Sequence, residues 1–262
     1  MLVIRQIASL LARQWYLVKD DAKNFLLNNF LLWPVIFGSM NGYFVPQAFF
    51  PDNTLLRATE MMVGALLFQT VVTVFFAGVE LIKEREASAL FQYHVIATSF
   101  AAAFFSRLIF YSLYTFCAVA PFLPICKCML GSLFYTDQLS WLSLFGVIFL
   151  LTSTTTAYLF FVFSFVHSLD KLEEAWVFLM EPLLWVSGLW APVYIIAQSG
   201  VPGVSWLLAA NPFAYATDAV RYLFFHEVAF ASLLTSCAVM IGATVIFSVA
   251  SYYLVKRRIR AV

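Results

Sequence analysis

Apolar residues run in six long blocks along this chain, and the charged residues collect in the short gaps between them. Bilayer hydrocarbon is about 30 Å thick and takes roughly 20 residues of apolar helix to cross. The pattern therefore predicts an all-α membrane protein with six transmembrane helices, at residues 25–45, 60–82, 103–125, 141–166, 175–197 and 229–254. Residues 3–22 follow a different period. Ile4, Ile7, Leu11, Trp15 and Val18 make one apolar face, with Arg5, Ser9, Arg13 and Asp20 on the other. A two-faced basic helix of this kind is expected to lie in the headgroup layer rather than to cross it; packing on a partner protein is the alternative. Arg5, Gln6, Arg13 and Gln14 break the continuous apolar core that a cleaved leader needs.

Polar residues inside the blocks refine the picture. The first span carries Asn28, Asn29, Pro34 and Asn41, and amides at that depth favour a bundle interior. The third is expected to end at Pro121 and Pro124, because proline cannot continue a regular helix. In the fourth, the hydroxyls of Thr152 to Thr156 are expected to bond back to their own helix carbonyls. Residues 198–227 are too apolar for an exposed loop and are broken by Pro202, Gly203 and Pro212. Asn211-Pro212 reads as a cap followed by a first-turn proline. That places a short helix over Ala214–Phe225, and two short re-entrant helices are expected between spans five and six.

Composition agrees. Hydrophobic residues make up 63% of the 262 positions and charged residues 11%, less than half of the roughly 25% usual in soluble domains. One membrane domain over residues 1–262 accounts for the whole chain. With no basic stripe away from the span ends, a nucleic-acid partner is not expected. Basic residues decide the orientation. With the termini inside, the inner segments hold twelve: Arg5, Arg13, Lys19, Lys23, Lys83, Arg85, Arg107, Lys171, Lys256, Arg257, Arg258 and Arg260. The outer segments hold three: Arg57, Lys127 and Arg221. Both termini are thus expected in the cytoplasm.

Catalytic signatures are missing from the sequence. It has no Gly-x-x-x-x-Gly-Lys-Ser/Thr phosphate loop, no His-Glu-x-x-His pair and no Gly-x-Ser-x-Gly elbow. His94, His167 and His226 fall in separate gaps. Neither an enzyme nor a metal site on this chain is expected. Cys126 and Cys128 flank Lys127 at an expected exposed loop, as a thiol pair or a metal clip, or simply as small apolar residues near a membrane surface. Glu181 is the one carboxylate well within a span, which by default marks a pathway, a proton relay or an interhelical partner; a plain solvated carboxylate about two turns from the cytoplasmic end, beside the backbone defect of Pro182, is the alternative. Glu60 and Glu80 lie at span ends and are expected to be solvated. The charged turn at Lys83–Glu86, followed by a short helix through Thr98 with Leu90, Tyr93 and Ala97 on one side, suits docking on a soluble partner; a plain connecting loop is the alternative.

Two stretches carry a family resemblance. Arg85-Glu86-Ala87-Ser88-Ala89-Leu90, with Ala97-Thr98-Ser99 after it, resembles the Arg-Glu-x-Gly-Thr-Leu … Thr-Pro-x-Ser segment of type-2 ABC exporter permeases. Pro182, Ser187-Gly188, Pro192 and Pro202, followed by Asn211-Pro212-Phe213-Ala214-Tyr215-Ala216-Thr217-Asp218-Ala219-Val220-Arg221, are similar to that family's Pro … Ser-Gly … Pro … Asn-Pro-Leu-x-Tyr-x-x-Asp-x-x-Arg stretch. Ser88, Ala89 and Ser99 depart from the usual Gly, Thr and Pro. The resemblance implies a permease of a bacterial cytoplasmic membrane that pairs with a second copy, or with a close relative, and with two ATP-binding subunits, which carry the ATP and magnesium. It implies a coupling helix around Glu84, Arg85, Glu86, Ser88, Leu90 and Thr98, and a partly exposed outer-helix ion pair of Asp218 with Arg221. By resemblance the cargo is lipid-like, drug-like or a lipo-oligosaccharide. A lipid-modifying enzyme using Glu181 and a passive channel or scaffold are the competing readings.

Overall fold

The computed structural model describes residues 9–12, 15, 32–49, 51–86, 99–136, 139–166, 168, 171–189, 193–198, 201, 203–226 and 230–259. Every regular element among them is helical. Four helical stretches are long and apolar enough to cross a membrane: Leu56–Phe76, Phe100–Leu133, Trp141–Phe163 and Leu233–Arg257. Residues 9–12 and 15 are helical, within the expected surface helix, and the rest of residues 3–22 lies outside the described set. So does the first part of span one. From residue 32 onward that span is helical: α1 (Trp33–Ser39), a π-turn over Met40–Phe44, and α2 (Val45–Phe49).

Helix α3 (Thr54–Glu86) runs straight through the expected charged turn at Lys83–Glu86. Lys, Glu and Arg are good helix formers, so a run of them extends a helix as readily as it ends one. Helix α4 (Phe100–Val119) begins at Ser99, whose hydroxyl accepts the Ala102 N–H at 3.1 Å. It breaks at Pro121, as expected, but Pro124 does not end a helix. Pro124 sits in the first turn of α5 (Phe122–Leu130), where no intrahelical partner awaits its missing N–H. Cys126 and Cys128 therefore lie on a helix and not on a loop. Two residues apart on a helix they point to different faces, Cys126 buried and Cys128 exposed, so they make no clip.

Helix α6 (Trp141–Phe163) is the centre of the bundle. It packs on α3, on α4, on α11 (Pro212–Phe225) and most extensively on α12 (Leu233–Ile259). Its threonines behave as the sequence indicates. Thr154, Thr155 and Thr156 each donate to the carbonyl four residues back at 2.8 Å, and Thr152 donates to Phe149. Thr154 also meets Thr244 of α12 at 3.0 Å, a polar contact between two apolar helices. The outward face of α12 exposes Leu234, Ile241, Val245 and Ile246. Such a stripe would be an aggregation liability in water, and in lipid it is simply the solvated face.

Span five departs most from expectation. Instead of one helix over 175–197, the chain forms α7 (Leu172–Ala175), a π-turn over Trp176–Met180, α8 (Glu181–Trp185) and a tight turn through Leu189, with α9 (Val193–Ala197) beyond. Two short helices follow, α10 (Val204–Ala210) and α11, and the second matches the helix expected after Asn211-Pro212.

Candidate functional site

The break after α8 leaves backbone carbonyls without helical partners, and a buried orphan carbonyl is expensive. Helix α11 supplies the donors. Asn211 Nδ2 donates to the Leu183 carbonyl at 2.8 Å, the Thr217 hydroxyl donates to the Ser187 carbonyl, and Arg221 Nη2 donates to the Gly188 carbonyl at 2.6 Å. Asn211 works twice, since its Oδ1 also accepts the Phe213 N–H at 3.0 Å and so caps α11. Two glycines make the close approach possible. Gly188 turns the chain at φ +85°, a region that disfavours any side chain, and Gly64 of α3 lies directly against the Leu189 carbonyl where a Cβ would collide.

A further side chain of α11 holds the segment that leads into α12. The Asp218 carboxylate accepts the N–H groups of Phe230 and Ala231, each at 2.9 Å, just before α12 begins. A carboxylate at that place also complements the positive end of the helix dipole. Burial pushes the Asp218 carboxyl above its ordinary value, while the two N–H bonds and the Arg221 charge pull it back. Asp218 and Arg221 are only 1% and 3% exposed, so the partly exposed setting expected for them is wrong. Each side chain bonds backbone of a different segment, and α11 acts as a clamp between the turn after α8 and the segment before α12.

Beside this clamp, α3 lines two cavities with a single stripe. Met61, Ala65, Phe68, Val72, Phe75 and Phe76 recur every third or fourth residue, with one adjacent pair, and so share one helix face. The first cavity, about 170 Å³, is closed by Phe37, Asn41 and Leu189. The second, about 470 Å³, is a groove open at the surface between Val72, Phe75 and Phe76 and the segment holding Leu172, Glu173 and Trp176. From Met61 to Phe76 the stripe spans about 22 Å at 1.5 Å per residue, most of a hydrocarbon core. Trp176 sets edge-on to Phe75 at 4.8 Å and donates its indole N–H to Glu181 at 3.3 Å. Glu181 is half-buried, tied to the π-turn of span five. Lys171 is taken by Glu174 at 2.6 Å, and Glu173 stands exposed at the rim of the larger cavity.

The other sequence candidates separate. Glu84, Arg85 and Glu86 belong to the last turn of α3, with their side chains outside the described set. Ser88, Leu90, Thr98, Asn28 and Asn29 lie outside the described residues altogether. Glu60 is not solvated as expected: it is 6% exposed and pairs with Arg57 at 2.7 Å. Among the described residues no cluster of three His, Cys, Asp or Glu side chains is placed to hold a metal. Sequence reasoning missed Thr217 and the α3 stripe. The repeat at 61, 65, 68, 72 and 75 was visible as a spacing, but in a helix apolar on all faces nothing marks one stripe as lining space.

No curated protein shows significant sequence similarity to the chain. The profile of the ABC-2 type transporter family matches residues 5–225, most of its length. With apolar crossing helices, the segmented stretch over residues 172–197 and the Asn-Pro … Asp … Arg clamp in place, the chain belongs to the ABC-2 type transporter family, as a membrane-embedded transport component.

Proposed function

We propose that this chain is the permease half of an ATP-driven exporter in a bacterial cytoplasmic membrane, with six spans and both termini inside. Two copies pair, and two separate ATP-binding subunits supply the energy, holding the ATP and magnesium themselves. The cargo is lipid-like, drug-like or a lipo-oligosaccharide, taken from the cytoplasm or the inner leaflet. The observation that carries this reading is the α3 stripe, which borders both cavities over most of a bilayer's depth in a member of a transport family. Apolar walls suit a cargo that already partitions into lipid. Family membership and the positive-inside count support the orientation.

The coupling contact is assigned to Glu84, Arg85, Glu86, Ser88, Leu90 and Thr98. An ATPase docked there pushes on the end of α3, the same helix that carries the stripe. Motion at the motor thus reaches the cavity walls through one continuous rod. Co-expression with an ATP-binding subunit encoded beside this chain tests this directly. The two proteins should purify together, and Glu84→Lys with Glu86→Lys should reduce the recovered ATPase several-fold. Undiminished recovery would reject the assigned contact, and transport in vesicles without ATP would reject the motor-driven reading.

A further inference from the structure

We infer that the larger cavity selects amphipathic cations, meaning a substituted ammonium or phosphonium group on an aromatic or alkyl body. This rests on the permease reading and narrows the cargo it takes. Among the side chains that line the cavity, Glu173 alone is ionisable, and the other five are Val72, Phe75, Phe76, Leu172 and Trp176. The nearest described cation on the same segment, Lys171, pairs with Glu174 at 2.6 Å. An apolar neutral guest would gain nothing from the Glu173 carboxylate, which stands exposed at the rim. An anion would meet like charge. A cation on an apolar body satisfies both parts of the site, its charge at the carboxylate and its body against the rings.

The rings add to that preference. Aromatic faces attract cations through the ring quadrupole, and tryptophan is the strongest. Trp176 lines the cavity while its N–H points away to the Glu181 carboxylate at 3.3 Å. Donating to an anion raises the electron density of the indole and so strengthens its attraction for positive charge. Phe75, edge-on at 4.8 Å, holds the indole in place, and Phe76 is largely exposed beside it. Glu181, deep in the span but committed to Trp176, thereby gains a role in tuning the wall of the site.

Tetraphenylphosphonium and tetraphenylborate share one four-ring shape and carry opposite charges, so together they isolate the sign. Binding of each is measured by equilibrium dialysis to the full chain in phosphatidylcholine nanodiscs, with empty discs subtracted. Saturable binding is expected for the phosphonium and at least tenfold weaker binding for the borate. Glu173→Gln should weaken phosphonium binding about fivefold, which at 1.4 kcal/mol per tenfold is about 1 kcal/mol. Glu174→Gln, off the cavity, should leave it unchanged. Equal binding of the two ions, an unaffected Glu173→Gln protein, or no saturable binding would each overturn the proposal. A Phe76→Cys cross-link showing a second copy of the chain filling the cavity would overturn it as well. ATPase co-purification, scored on the same preparations, separates the two claims. If it is lost while phosphonium binding persists, the permease reading fails and the cation site stands; the reverse pattern removes the site and keeps the permease.

Discussion

Asn211 joins two segments with one side chain, and its replacement resolves the two contributions. Its Oδ1 caps α11 through the Phe213 N–H at 3.0 Å, and its Nδ2 holds the Leu183 carbonyl at 2.8 Å, with the residue fully buried. Loss of an N-cap costs about 1 kcal/mol. A buried carbonyl left without a donor costs about 1–3 kcal/mol. Asn211→Ala removes both and should destabilise by about 2–4 kcal/mol. Asn211→Ser keeps a capping oxygen but cannot reach Leu183, so it should lose only the second part. For a chain of this size each kcal/mol moves the melting temperature by about 2–4 °C. The expected order is therefore wild type, then Ser, then Ala, with Ala lowered by roughly 4–16 °C on that conversion. Thermal unfolding of the detergent-purified protein, followed by intrinsic fluorescence, reads the series. If Ser and wild type melt together while Ala falls, the link to Leu183 contributes nothing; if all three coincide, the clamp is not a source of stability.

Three further outcomes follow from contacts elsewhere. Gly64→Ala should lower the melting temperature by at least several degrees, because the new methyl meets the Leu189 backbone, whereas Gly146→Ala, with open space around it, should raise it slightly through better helix propensity. Thr154→Val keeps the shape but removes the contact with Thr244, and should cost about 0.5–1 kcal/mol by the same melt, with no change taken as refutation. Asp218 gives a pH signature. Its folded value is raised, so the protonated form is favoured in the folded protein, and the contribution is present below the ordinary aspartate range near about 3.9 and is lost as pH rises through the folded value. The melting temperature of the wild type relative to Asp218→Asn should therefore fall as pH is raised from 4 toward 7, and a rise over that range would contradict the assignment.

How far the sequence could be read depended on whether the deciding contact was local. Asn211-Pro212 announced α11 because capping is settled within three residues, and the helix begins at Pro212. The Thr152–Thr156 hydroxyls were legible for the same reason, each finding an acceptor one turn back. The segmentation of span five was not. Its residues are as apolar as a crossing helix, and the turn after Trp185 stands because donors from residues 211, 217 and 221 satisfy it. Glu60 looked solvated by position and is buried because Arg57, one turn earlier, neutralises it. Asp218 and Arg221 were expected, by resemblance, to pair with each other. They also hold backbone 12 and 33 residues away, which no spacing on α11 reveals.

The grip of α11 on its neighbours is one-sided in a way that bears on how such chains diverge. Four particular side chains do the holding, while what they hold is peptide backbone at positions 183, 187, 188, 230 and 231. Main-chain oxygen and nitrogen are common to nearly every amino acid, so the gripped positions are free to drift for other purposes, Gly188 excepted for its backbone angle. Sequence change can accumulate along residues 172–189 without loosening the joint, and a short signature on one helix can outlast the rest of the sequence.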